Sequence, residues 1–131
     1  MHKRIHHWLQ ADRYFKFVAC LATLAAFYLS LKPPSPDQIP WHFYMIRGDL
    51  ILHFCFYLGL TLSYFAAFYT FKKPLLKSGI SAWLIGTLLE LLQAIPFFQR
   101  EFDPFDLLAN SLGVFLAALI IKKLFNYSLK Y

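Results

Sequence analysis

Four long apolar runs, at 15–31, 50–71, 76–97 and 107–125, leave this chain few ways to fold. Each approaches or exceeds the ~20 residues that carry a helix across a bilayer. In hydrocarbon every backbone N–H and C=O must be satisfied internally, and a helix does this within a single segment. A water-soluble core fails for want of polar coating: 59% of the 131 residues are hydrophobic and 15% are charged, against about 25% charged in a typical soluble domain. The expectation is all-α: an integral membrane four-helix bundle, one transmembrane domain over 1–131 with no internal repeat and no soluble domain.

The first run follows Lys3, Arg4 and Arg13, as the apolar part of a secretory signal would. The basic region is long, no A-x-A cleavage site follows, and Leu31-Lys32-Pro33-Pro34 closes the run abruptly, so it reads as an uncleaved helix. Cys20 and Cys55 fall inside the first two runs and read as small buried hydrophobes rather than a disulfide or a metal site.

Lys and Arg are retained on the cytoplasmic side of a membrane. Ten of the thirteen lie near the ends or in the second loop: Lys3, Arg4, Arg13, Lys16, Lys72, Lys73, Lys77, Lys122, Lys123 and Lys130. Lys32, Arg47 and Arg100 are left for the first and third loops, beside Asp37, Glu101 and Asp103. Both termini are therefore expected to be cytoplasmic. Retention, with attraction to anionic lipid at roughly 1 kcal/mol per surface cation, accounts for the net charge of +6 without a nucleic-acid partner.

In the first loop, Pro33, Pro34, Pro36 and Pro40 argue against helix or sheet, while Trp41, Phe43 and Tyr44 suit the headgroup zone. The loop is expected to lie on the outer surface as a lid or collar. The second, Lys72-Lys73-Pro74, is a short basic turn between antiparallel neighbours. In the third, Asp103 is placed to cap the fourth helix, with Pro104 at its first position and Asp106 in its first turn.

This topology brings three polar segments to the same outer half of the membrane. Asp49 and His53 are one turn apart, as are Glu90 and Gln93, while Asp106, Asn110, Gly113 and Ala117 form a polar-then-small seam. Glu90 lies about seven residues before the end of its run, or roughly 10 Å deep at 1.5 Å per residue. A carboxylate there must be protonated, paired or hydrated, and His53, Gln93, Asn110 and Arg100 are the available partners. Packing is the competing account: Asn110 and Gln93 suit interhelical hydrogen bonds, Gly86 and Gly113 suit close helix contact, and Asp106 suits a helix start. Glu90 with Asp49 and His53 is an expensive way to obtain packing, and marks a functional site.

The segments Asp49-Leu-Ile-Leu-His53-Phe54, Glu90-Leu-Leu-Gln93 and Arg100-x-x-Asp103-x-x-Asp106-x-x-x-Asn110-x-x-Gly113, in this order and spacing, resemble the VanZ-like family of small bacterial membrane proteins. The resemblance spans about residues 47 to 118. It implies the bacterial cytoplasmic membrane, a role at the cell envelope or in antibiotic resistance, and polar positions at Asp49, His53, Glu90, Gln93, Arg100, Asp106 and Asn110.

Two functional classes follow. In the first, an outward polar pocket binds or shields a membrane lipid, a lipid-linked wall precursor or a lipophilic glycopeptide, with Arg47 and Arg100 gripping phosphate or carboxylate. The alternative is an intramembrane enzyme modifying a lipid headgroup, with Glu90 or Asp49 as general base, His53 as acid or proton shuttle and Arg100 stabilising developing charge. No cofactor is expected. A divalent metal on Asp49, His53 and Asp106 is chemically possible but is the weaker version, since only one ligand is an imidazole. A proton or ion pathway ranks last, because the polar residues occupy only one half of the bilayer.

Overall fold

A computed structural model describes residues 12–33 and 41–125. Lys3, Arg4, Pro34, Pro36, Asp37, Pro40 and Lys130, on which part of the charge and loop reading rests, lie outside the described residues. Four helices carry the fold: α1 (Asp12–Leu31), α2 (Gly48–Ala67), α3 (Pro74–Gln93) and α4 (Pro104–Phe125). All four are long and apolar enough to span a membrane, so the chain is a multi-pass membrane protein.

Local chemistry sets the helix ends. The Lys32 amide makes the last bond of α1, to the Tyr28 carbonyl at 2.9 Å, and Pro33 has no amide with which to continue. Helix α3 starts with Pro74 at its first position, after Lys73 in a left-handed conformation (φ 55°). It ends at Gln93 rather than near residue 97, because Ile95 precedes Pro96 and is forced extended (φ −77°, ψ 124°). A 3-10 turn, Pro96–Phe98, follows. Helix α2 likewise closes at Ala67, short of the expected 71, and Phe68 (φ −97°, ψ 6°) leads into a turn. At the start of α4, Asp103 Oδ1 accepts the Phe105 amide at 2.8 Å and its carbonyl accepts those of Asp106 and Leu107, as expected of a cap.

The first loop is not wholly irregular. Two short strands, β1 (His42–Phe43) and β2 (Ile46–Arg47), pair antiparallel, and Tyr44 (φ 54°) makes the turn. The prolines do not prevent this hairpin because all four precede it in the chain. Its base is held by the Gly48 amide on the Trp41 carbonyl (2.9 Å), and the Trp41 ring occupies the space that a side chain at Gly48 would need.

Helix α2 packs against the other three helices, most extensively on α4. Its inward stripe, Tyr57, Leu60, Thr61 and Tyr64, follows helical spacing and meets Ala19 of α1 and Ala82 of α3. The Tyr64 hydroxyl lies 2.6 Å from Thr23 Oγ1, tying α1 to α2. Small residues permit the closest approach: the Phe54 carbonyl of α2 fills the place of a Gly113 side chain, and Gly86 faces the Tyr57 ring. Most large apolar side chains instead cover the outside of the bundle, where lipid solvates them. Cys20 and Cys55 belong to this outer surface and are exposed, not buried. Each lies off its helix's inward stripe, which Ala19 and Ala26 occupy on α1 and Tyr57 and Leu60 on α2.

Candidate functional site

The start of α2, the end of α3 and the start of α4 meet at one end of the bundle, and their polar side chains form two layers. The shallower layer is built on Arg47, the last residue of β2. Its guanidinium takes Asp49 by both oxygens, Nε to Oδ1 at 3.1 Å and Nη2 to Oδ2 at 2.5 Å, while Nη1 donates to Asp103 Oδ2 at 2.7 Å. Asp106 Oδ1 stands 3.6 Å from Nη2. The hydrogen bonds from Asp49 and then Asp103 hold the Arg47 pKa above its ordinary value. Burial would push the Asp103 carboxyl up, but the Arg47 and Phe105 N–H donors outweigh it and its pKa lies below the usual carboxylate range.

The deeper layer lies within the membrane-spanning segments. His53 Nδ1 is 2.9 Å from Asn110 Oδ1 and 3.8 Å from Glu90 Oε1, and its Nε2 is 3.5 Å from Asp106 Oδ2. Asn110 Nδ2 donates to Glu90 Oε1 over a long 3.4 Å. Glu90 and Asn110 are each 1% exposed and Asp106 is 7% exposed, so these three side chains are largely shielded from solvent. Several buried polar atoms still lack a hydrogen-bond partner: Glu90 Oε2, Asp106 Oδ1, Gln93 Nε2 and the Tyr57 hydroxyl. Orphaned atoms of this kind cost about 1–3 kcal/mol each when left unmatched.

Five of the residues expected in one cluster, Asp49, His53, Glu90, Asp106 and Asn110, are joined by these contacts. Gln93 is buried one turn beyond Glu90 without a hydrogen bond to the others. Arg100 makes no ion pair with a carboxylate among the described residues and donates Nε to the Lys32 carbonyl at 2.9 Å. Arg47 does not offer its fork to a ligand, because Asp49 and Asp103 occupy it. Sequence reading did not assign Asp103 to this cluster or Tyr57 to its floor. The first looked like a helix cap only, whereas the second lies one turn after His53 and was within reach of periodicity.

A cavity of about 350 Å³ opens beside the cluster, between α1, the start of the first loop, α2 and Arg100 of the third loop. Leu29, Leu52 and Phe56 supply apolar wall, and Asp49, His53 and Arg100 supply the polar end. His53 is thus shared by the cavity and the deep layer. For a metal, the ligand set differs from the expected Asp49, His53 and Asp106: Asp49 is held by Arg47, and Glu90 takes its place. His53, Glu90 and Asp106 each offer one ligand atom, all within 4.8 Å of one another. Comparison with family models, curated proteins and solved structures gives no match.

Proposed function

We propose that this chain is a VanZ-like protein of the bacterial cytoplasmic membrane whose cavity binds the polar end of an envelope amphiphile. The candidate amphiphiles are a membrane lipid, a lipid-linked wall precursor or a lipophilic glycopeptide. The observation that carries this reading is the state of Arg100. It spends only Nε on the Lys32 carbonyl, and its two terminal nitrogens have no partner among the described residues. A guanidinium with its fork open at the polar end of an otherwise apolar cavity is suited to bidentate capture of phosphate or carboxylate. Leu29, Leu52 and Phe56 then accommodate the first methylenes of an acyl or prenyl chain. On the charge distribution, the cavity faces away from the cytoplasm.

Thermal unfolding in a neutral detergent tests the reading. Phosphatidylglycerol should stabilise the protein more than phosphatidylcholine, and Arg100→Gln should abolish the difference. Equal stabilisation by both lipids counts against it. In a susceptible Gram-positive host, overproduction should change sensitivity to teicoplanin, which carries an acyl tail, more than to vancomycin, which has none. The resemblance to VanZ-like proteins motivates that choice of drug.

One observation favours the alternative, acid/base modification of a lipid headgroup: the His53 imidazole forms part of the cavity wall with a carboxylate behind it. Glu90 is then the base, since Asp49 is committed to Arg47. A new or missing headgroup species in the lipid profile of the overproducing strain would favour the enzyme; an unchanged profile favours binding.

A further inference from the structure

We infer that His53, Glu90 and Asp106 form a binding site for a first-row divalent cation within the membrane-spanning bundle. The first ground is orientation. Asn110 Nδ2 faces Glu90 Oε1, which turns Asn110 Oδ1 toward His53 Nδ1. A carbonyl oxygen only accepts, so Nδ1 donates to Asn110 and Nε2 is the ring nitrogen left to face Asp106. Nε2 stands 3.5 Å from Asp106 Oδ2 with no hydrogen bond between them. Two donors at ~2.1 Å from a shared tetrahedral ion are about 3.4 Å apart. An imidazole whose second nitrogen donates to an amide carbonyl is also the arrangement that metal-bound histidines adopt.

The second ground is the unused capacity of the acids. Glu90 is 1% exposed, has an oxygen with no partner, and among the described residues meets no ionisable nitrogen within 4.0 Å except that of His53. Its long side chain can bring that free oxygen to an ion without giving up a hydrogen bond. The third is charge. Asp49, Asp103 and Asp106 are gathered around one guanidinium, Arg47, which already binds the first two, and Glu90 with Asp106 faces a single imidazole, His53. A bundle in lipid cannot leave such a surplus uncompensated. One imidazole with two carboxylates suits Zn²⁺ or Mn²⁺ better than Mg²⁺ or Ca²⁺, which take oxygen donors alone. The inference is independent of the amphiphile reading, since Arg100 takes no part in it.

The test is metal uptake by the tag-free full chain in detergent. After stripping with EDTA, the protein should take up about one Zn²⁺ or Mn²⁺ per chain by calorimetry. Zinc absorption spectroscopy should show one imidazole nitrogen with oxygen neighbours. Glu90→Gln and Asp106→Asn should each weaken uptake by at least ~10-fold, the scale seen even for residues behind a metal's ligands, while Arg100→Gln leaves it unchanged. No uptake by the stripped wild type overturns the site, as does sulfur ligation through Cys20 or Cys55, or uptake indifferent to both acid substitutions. The absorption spectrum of the wild type decides alone if the acid variants fail to fold.

Discussion

His53 Nδ1 and Asn110 Oδ1 lie 2.9 Å apart, although 57 residues separate them in the chain. This bond joins α2 to α4 inside the membrane and chooses which imidazole nitrogen carries the proton. Nitrogen NMR of the imidazole in the metal-stripped protein should therefore find Nδ1 protonated. Asn110→Ala should destabilise the bundle by roughly 0.6–1.7 kcal/mol, the range of interhelical polar contacts in membranes. An unchanged nitrogen spectrum in that variant would break the link between Asn110 and the tautomer.

Gly113 and Gly59 should respond in opposite ways to the same methyl group. At Gly113 the added carbon meets the Phe54 carbonyl and Leu58 amide, backbone atoms that yield only if α2 and α4 separate. At Gly59 it meets nothing within 4 Å. Gly113→Ala should cost about 1–3 kcal/mol as overpacking, and Gly59→Ala should be neutral or stabilising by up to ~1 kcal/mol through helix propensity. Detergent unfolding temperatures for the pair measure this directly; equal shifts would mean that α2 and α4 do not approach closely at Gly113.

The hairpin tip offers a clean probe of orientation, since Met45 is 99% exposed. In intact cells, Met45→Cys should react with an impermeant maleimide, and Lys72→Cys in the second loop should react only after lysis. The native Cys20 and Cys55 are replaced by Ala first, as both are exposed on the outer face of the helices. The reverse pattern would place the cavity on the cytoplasmic leaflet.

Asp103 makes stability depend on pH in a defined direction. Its pKa is lowered on folding by the Arg47 and Phe105 N–H donors acting against burial. Its contribution is therefore present above the unfolded value of ~3.9 and is lost as pH falls through the lower folded value. At neutral pH, Asp103→Asn should be less stable than wild type by about 1 kcal/mol, a figure reduced because Arg47 is 42% exposed. The gap should close below about pH 4. A gap constant across that range would show that the charge of Asp103 contributes nothing.

Much of the fold follows from chain-local rules. The four spans, the stop at Lys32-Pro33, the start of α3 at Pro74 and the Asp103-Pro104 entry into α4 each depend on residues a few positions apart. The meeting of His53, Glu90 and Asp106 was also legible, because antiparallel connections place the start of α2, the end of α3 and the start of α4 at one level. The misplaced ends of α2 and α3 have a local explanation too: apolarity continues past the last helical turn, and hydropathy does not register the backbone demand of Pro96 on Ile95.

What the amino-acid order determined by itself is the number of spans, their caps and the level at which the polar groups sit. These follow from apolar length, proline and helix-end chemistry. Only the tertiary structure decided that Arg47 is consumed by Asp49 and Asp103, that Arg100 instead donates to the Lys32 carbonyl, and that Cys20 and Cys55 face outward. The physical reason is the solvent. In water the apolar stripe of a helix reveals which side turns inward; in lipid both sides are apolar, and the spacing of the apolar residues no longer separates inside from outside. Partner choice among side chains more than fifty residues apart is then set by where Gly113 and Gly86 let the helices touch.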